Sequence, residues 1–390
     1  VIELDEAEKV LDLTELEITS IDLTNIQQFR NLEVINLYDN HLTRVNLKAL
    51  QYCTSLQELY LSENRLGNLD LSPLEQCNNL QVLELHQNQL ESLDLTPLMA
   101  CTELRRLDLA NNNLTKLDIR PLWHCTKLKE IDLADNQIDT VDLTPLFYCS
   151  NLNELDFSEN DLDKIDLSPL WNCKILRMLN LRGNRLTQLD LQALYHCQDI
   201  RELDFSQNQL IQIDLTPLWH CPHLETLWLA GNELTELDLS PIWHAKKLKS
   251  LNLSENSLLR LDISPLLKGQ AEFNLFVDSD VLLVAEERLK PFLWKRTPAS
   301  FQKRLRNITW YGPQAMEPAD AKIIDKPVQA SSSDQHSIHP GFLGQGFLNF
   351  CIRQGWVVRK REGEHVEYLV TKPGKAALKE FGIEITNFES

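Results

Sequence analysis

A fixed period constrains this chain more than any other feature. Asparagine recurs at Asn40, Asn64, Asn88, Asn112, Asn136, Asn160, Asn184, Asn208, Asn232 and Asn256, each 24 residues after the last. Around each sits the frame L-x-x-L-x-L-x-x-N-x-L-x-x-L-D-L-[ST]-P-L-x-x-C, as in Leu80-Gln81-Val82-Leu83-Glu84-Leu85-His86-Gln87-Asn88-Gln89-Leu90. A unit this short cannot bury its apolar face alone, so it must stack on its neighbours. The L-x-L alternation, as in Leu107-Asp108-Leu109, reads as a short strand with one face inside and one outside. One such strand per unit predicts a parallel sheet.

The other frame positions acquire roles from that stack. The Asn after each strand is expected to turn inward and bond the free backbone groups of neighbouring turns. Ser or Thr before Pro, as at Ser72-Pro73, Thr96-Pro97 and Thr144-Pro145, predicts an N-cap with Pro at the first helical position, hence a short helical turn in each unit. The frame resembles the leucine-rich repeat family over residues 8–285. The resemblance implies an α/β solenoid, with a curved parallel sheet on the concave face and short helical turns on the convex face. An atypical opening unit (Leu11, Leu13, Ile18, Ile21, Asp22, Leu23) and a degenerate closing one (Leu275, Val277, and Asp280 where Asn is due) read as caps, giving a solenoid domain over 1–285.

The stretch His220-Cys221-Pro222-His223 has the composition of a metal site, or of a nucleophile with its base. Its columns argue otherwise. Cys53, Cys77, Cys101, Cys125, Cys149, Cys173, Cys197 and Cys221 stand 24 apart, with Ala245 in the next place. A thiol that Ala replaces is a buried space-filler, expected reduced. The neighbouring column (Tyr52, His124, Tyr148, Asn172, His196, His220, His244) is expected to point outward, and its substitutions argue against shared ligation. No metal and no cofactor are expected. No Gly-rich phosphate loop, H-E-x-x-H or nucleophile elbow occurs, so the chain is expected not to be an enzyme.

Two further columns carry chemistry. Met99, Trp123, Phe147, Trp171, Tyr195, Trp219 and Trp243 place large side chains side by side on the helical turns, either packing on one another and on Leu or forming a second apolar binding surface. Asp22, Asp70, Asp94, Asp118, Asp142, Asp166, Asp190, Asp214, Asp238 and Asp262, with Asn46 the exception, stack like charges. Helical-turn dipoles and backbone N–H groups are expected to offset the repulsion. Calcium is a weaker use of this row, because its carboxylates are not clustered as in a calcium loop.

The outward strand positions are free to vary, and there a solenoid makes its contacts. The candidate partner-binding residues are Tyr60, Glu84, Asp108, Glu130, Asp132, Glu154, Asp156, Met178, Asp204 and Trp228, an acidic stripe with aromatics toward its ends. Residues 1–267 hold 21 Lys+Arg against 42 Asp+Glu, a net of −21 within a chain of −19, so the remainder carries +2. This asymmetry predicts a protein partner with a basic surface and argues against nucleic acid on this face. Trp228, between core-facing Leu227 and Leu229, is expected to stand exposed as an anchor.

Beyond the repeats the composition changes. Residues 281–310 interleave Arg288, Lys290, Lys295, Arg296, Lys303, Arg304 and Arg306 with Phe292, Trp294, Phe301 and Trp310. They read as a capping helix with an extension, the cap domain spanning 286–311; a basic aromatic patch is the alternative. Residues 312–340 hold Pro and Ser clusters and read as a flexible linker. Residues 341–390 read as helix, hairpin, helix, and GWVVRKREGEHVEYLVTKPGKAALKEFGI resembles the C-terminal part of winged-helix transcription regulators of the arsenic-repressor type. That resemblance implies a small α+β module whose Arg359, Lys360 and Arg361 would contact a DNA backbone, although no complete helix-turn-helix precedes the hairpin. Nucleic acid is expected at most through 341–390.

No apolar run approaches the roughly 20 residues of a membrane helix, and the acidic start VIELDEAEKV lacks the basic and apolar regions of a secretory leader. A cytoplasmic location is expected. Two functions remain open: a non-enzymatic interaction scaffold with a basic partner on the concave face, or a DNA-associated regulator whose solenoid senses a protein.

Overall fold

A computed structural model describes residues 8–269, 273–290, 308–312, 336–338, 357–362 and 365–371. Twelve strands form one parallel sheet in chain order, from Val10–Asp12 to Asn274–Phe276. The register advances by 24 throughout the repeats, as in Leu59↔Leu83 and Leu83↔Leu107. Each strand is three residues long with its middle residue buried, so each strand adds one Leu or Ile to a single continuous core that the rest of the repeat also feeds. Stacking thus buries side chains that one repeat would leave in water.

Five-residue 3-10 helices lie on the opposite side of the core, from Thr24–Gln28 to Ser240–His244. They are 3-10 because each run is held by two i→i+3 bonds, as in Leu74 N to Leu71 O (2.8 Å) and Cys77 N to Leu74 O (2.9 Å). Capping differs from the expectation. The residue at the N-cap is Leu or Ile, as at Leu71 and Ile119, and no side chain caps there. The Asp column does the work instead: Ser72 N donates to Asp70 Oδ1 (2.9 Å) and Thr96 N to Asp94 Oδ1 (2.9 Å). Asn46 serves Lys48 N in the same way (3.0 Å). Hydroxyls add to this, Ser168 Oγ donating to Asp166 Oδ2 (2.9 Å). Such donors hold Asp22, Asp70, Asp94 and Asp142 below the usual carboxyl range, and the Arg120 guanidinium lowers Asp118 to about 2. The row of like charges is therefore anchored by its own backbone.

Two internal ladders hold the stack. Asn64 Oδ1 accepts from Leu42 N (3.0 Å), while its Nδ2 donates to Leu37 O in the preceding repeat (2.9 Å) and to Leu61 O (3.1 Å). Asn136 repeats the arrangement with Leu114 N, Leu109 O and Leu133 O. The cysteines are fully buried and unpaired from Cys53 to Cys221. Cys77 and Cys125 donate to Leu50 O (3.5 Å) and Leu98 O (3.4 Å), and burial pushes the Cys125 thiol up to about 12.

The C-terminal end closes differently from its expected form. Leu275 and Val277 join the core, but the carboxylate that reaches back is Asp278 rather than Asp280, Asn256 N donating to its Oδ2 (3.3 Å). Residues 282–286 form a strand where a cap helix was expected. Leu282–Glu286 lies between Arg260–Asp262 and Thr309–Tyr311 in a second, three-stranded parallel sheet. Glu287–Leu289 makes one 3-10 turn, and 291–307 lie outside the described residues. Tyr311 Oη donates to Asp262 Oδ2 (2.5 Å), and Glu286 N to Ser264 Oγ (2.8 Å), tying this sheet to the last repeat.

Within the expected linker, His336–Ile338 is a strand, pairing antiparallel with His365–Val370; 313–335 lie outside the described residues. The expected hairpin is present, with Val357–Glu362 antiparallel to His365–Val370. The flanking segments expected as helices lie outside the described residues.

Candidate protein-interaction surface

The open face of the twelve-stranded sheet is built from the first and third residues of each strand and the residue two places beyond. Because side chains alternate along a strand, these positions share one face. A side-chain oxygen at a strand end can accept the N–H two residues on, as the amides of Asn36, Asn180 and Asn252 do. An Asp there accepts it: Ala110 N donates to Asp108 Oδ1 (3.1 Å), Ala134 N to Asp132 Oδ1 (3.0 Å), Ser158 N to Asp156 Oδ1 (2.8 Å) and Ser206 N to Asp204 Oδ1 (2.9 Å). Strand termination thus calls for an accepting oxygen, which Asp and Asn both supply, and does not by itself account for the charge of the stripe.

The charges are not equivalent. Arg106 reaches Glu84 through Nε (3.0 Å), Asp108 through Nη2 (3.2 Å) and Glu130 through Nη1 (2.7 Å). His86 Nδ1 lies 3.2 Å from Asp108 Oδ2, a bond that raises the imidazole above its ordinary range. Burial alone would push Asp108 up, but the His86 bond, the Ala110 N–H and Arg106 more than offset it, and the carboxyl stays below its usual value. Burial raises Glu84 and Glu130 despite the guanidinium between them. In the N-terminal part of the stripe one guanidinium therefore offsets part of the charge of three carboxylates.

Asp132, Glu154 and Asp156 form no ion pair among the described residues. Burial, then the neighbouring Asp108, Asp156 and Glu130, push Asp132 up to about 6. Asp156 accepts only neutral donors, including Asn180 Nδ2 (2.8 Å). Burial also raises Asp204, which is itself buried. Tyr60 is half-buried and donates to Glu58 Oε2 (2.8 Å); Met178 is half-buried between Glu154 and Glu202 in register.

Trp228 stands on this open face, 38 % exposed, its Nε1 3.4 Å from Ser250 Oγ. Register places Asn252 beside it and Phe276, also exposed, beyond. The structure thus brings Asp132, Glu154 and Asp156 together, sets Trp228 and Phe276 toward the C-terminal end, and withdraws Asp108 and Asp204 from the surface. His86 and Phe276 escaped the sequence reading. His86 sits two places past the strand, in a column of Ser, Ala and Arg, and Phe276 belongs to the degenerate closing unit. Arg359, Lys360 and Arg361 have their backbone in Val357–Glu362; their side chains lie outside the described residues. Among the described residues no group of three or more His, Cys, Asp or Glu is placed to hold a metal ion, and no helix is long and apolar enough to cross a membrane.

Comparison with known proteins agrees with this architecture. The functional domain of InlJ from Listeria monocytogenes, which includes a cysteine ladder, is 29 % identical with a TM-score of 0.57, covering 70 % of this chain and 54 % of that one. This chain therefore spans about half of the InlJ domain's length. A leucine-rich repeat protein of Leptospira interrogans (23 %, TM-score 0.57, 77 % and 83 % covered) shares the fold. So does a plant peptide hormone receptor, RGFR1, solved in complex with RGF2 (24 %, TM-score 0.54, 67 % and 46 % covered). No curated protein matches the chain at a significant level. The profile described as leucine rich repeat matches residues 9–66, 54–114, 78–138, 126–186 and 176–234. With more than half of its length matched in the register that the sheet displays, the chain belongs to the leucine-rich repeat family.

Proposed function

We propose that the protein is a non-enzymatic interaction scaffold that binds a basic protein segment along the open sheet face, where Asp132, Glu154 and Asp156 steer the partner and Trp228 anchors it. The observation that carries this reading is that one sheet face presents carboxylates lacking a cation and, three strands beyond Asp156, an exposed indole. Exposed Trp is enriched at binding hot spots, and uncompensated rim charge raises encounter rates. A cytoplasmic location belongs to the same proposal. The test is affinity capture with the full chain and with Trp228→Ala and Asp132→Lys/Asp156→Lys variants of unchanged thermal midpoint. A partner retained by the wild type and lost by both variants supports the reading; equal recovery on all three refutes it.

A second reading rests on the antiparallel hairpin Val357–Glu362 and His365–Val370. In it, 341–390 form a winged-helix-like module and Arg359, Lys360 and Arg361 touch DNA, the solenoid acting as protein sensor. A gel shift of the full chain at several salt concentrations tests it, since phosphate contacts give a steep salt slope.

A further inference from the structure

The helical-turn side carries a second surface that the sheet-face proposal does not use. Met99, Trp123, Phe147, Trp171 and Trp243 are each between about a third and a half exposed there (46, 49, 41, 46 and 37 %). Four rings of this column meet the next repeat's outward residue. Trp123 stacks on Tyr148 (centroids 4.9 Å, 20° between planes), Trp171 lies 3.7 Å from His196, Tyr195 4.0 Å from His220 and Trp219 4.2 Å from His244. The rings thus do both things open to them: they pack on one another and still present an apolar ribbon to solvent. Burial holds His196, His220 and His244 below the ordinary imidazole range, so the ribbon is uncharged at neutral pH. Alongside runs the exposed carboxylate row, including Asp142, Asp166 and Asp190.

We infer that this ribbon and its carboxylate border bind a basic, proline-rich segment in the polyproline II conformation. Backbone bonding argues against an added strand, because the N–H groups of each turn are already spent on i→i+3 bonds and on the Asp column. A polyproline II helix needs no such edge, since its own backbone stays solvated, and it docks on rows of aromatic rings. Every repeat from Met99 to Trp243 contributes one large apolar side chain to the row, so a helix lying along the turns meets a continuous surface. Because the helix is three-fold, one triplet position faces the rings, a second faces the carboxylate row and the third faces water. Proline at the first and arginine or lysine at the second satisfy both surfaces.

The test is titration of the full chain with the nonapeptide (Pro-Pro-Arg)3, followed by calorimetry and tryptophan fluorescence, with (Pro-Pro-Glu)3 and cellohexaose as comparisons. Asp142→Asn/Asp166→Asn/Asp190→Asn removes charge while keeping the turn, because Asn46 already makes the same bond to Lys48 N. The expected result is saturable binding of the arginine peptide. Affinity should fall at least tenfold in Trp123→Ala/Trp171→Ala, fall at least fivefold in the triple Asn variant, and stay unchanged in Trp228→Ala. No binding, equal binding of the glutamate peptide, or binding indifferent to the ring substitutions overturns the proposal. Saturable binding of cellohexaose alone would assign the ribbon to a saccharide instead, and self-association abolished by the ring substitutions would assign it to a second copy. Failure here leaves the sheet-face reading untouched, because Trp228 lies on the opposite side of the core.

Discussion

Arg106 Nη1 lies 2.7 Å from Glu130 Oε1, its register partner on the adjacent strand, and the same guanidinium also serves Glu84 and Asp108. One cation thus offsets part of the charge of three carboxylates, while Asp132, Glu154 and Asp156 form no ion pair among the described residues. Arg106→Gln leaves Asp108 buried with only His86 to balance it. The variant is expected to lose about 1–2 kcal/mol of stability at pH 7.5, the cost of a broken pair discounted for the exposure of Arg106. The loss should shrink near pH 4.5, where Glu84 and Glu130, whose carboxyls are raised, take up protons. Thermal unfolding at the two pH values measures this.

Asp132 gives a pH dependence of opposite sense to the usual carboxylate. Its folded-state pKa, raised to about 6, exceeds the unfolded value. Its contribution is therefore fully present below about pH 4 and lost as pH rises through 6. Asp132→Asn should stabilise the protein by about 1–2 kcal/mol at pH 7.5 and by almost nothing at pH 4. Denaturant midpoints across that range check the sign.

Asn136→Ala removes the acceptor for Leu114 N and the donors to Leu109 O and Leu133 O in the interior of the stack. Each stranded buried group costs about 1–3 kcal/mol, so a loss of about 3 kcal/mol or more is expected. Asn256→Ala, at the partly buried end of the ladder, should cost less. Urea unfolding of both variants compares the two positions.

The thiols from Cys53 to Cys221 should resist iodoacetamide in the folded protein and react fully in urea, because burial disfavours the thiolate nucleophile. Peptide mapping reads each cysteine separately. Rapid native alkylation of Cys125 or Cys149 would contradict the buried column.

Periodicity made the repeat architecture legible. Ten asparagines in unbroken register predicted the parallel sheet, the amide ladder and the buried cysteine column, since each follows from stacking identical units. Trp228 was placed on the open face by strand alternation alone. Capping was misread because Ser72 and Thr96 have the composition of N-caps, whereas in so short a turn the accepting oxygen comes from Asp70 and Asp94, two residues earlier. Leu282–Glu286 was misread because its pairing partners, Arg260–Asp262 and Thr309–Tyr311, are distant in sequence and belong to no repeat. Burial of Asp108 and Asp204 was invisible for a related reason: column membership says which face a side chain takes, and its neighbours across strands decide how much water it keeps.

The central claim, that the open sheet face binds a basic partner through acidic steering and a Trp228 anchor, is tested most directly by association kinetics with a partner captured on the wild-type chain. Rates measured against ionic strength should separate the two contributions. Asp132→Lys/Asp156→Lys should slow association several-fold at low salt with little change in dissociation. Trp228→Ala should speed dissociation and weaken binding by about 2 kcal/mol or more. Association that is indifferent to salt and to both sets of substitutions would contradict the account.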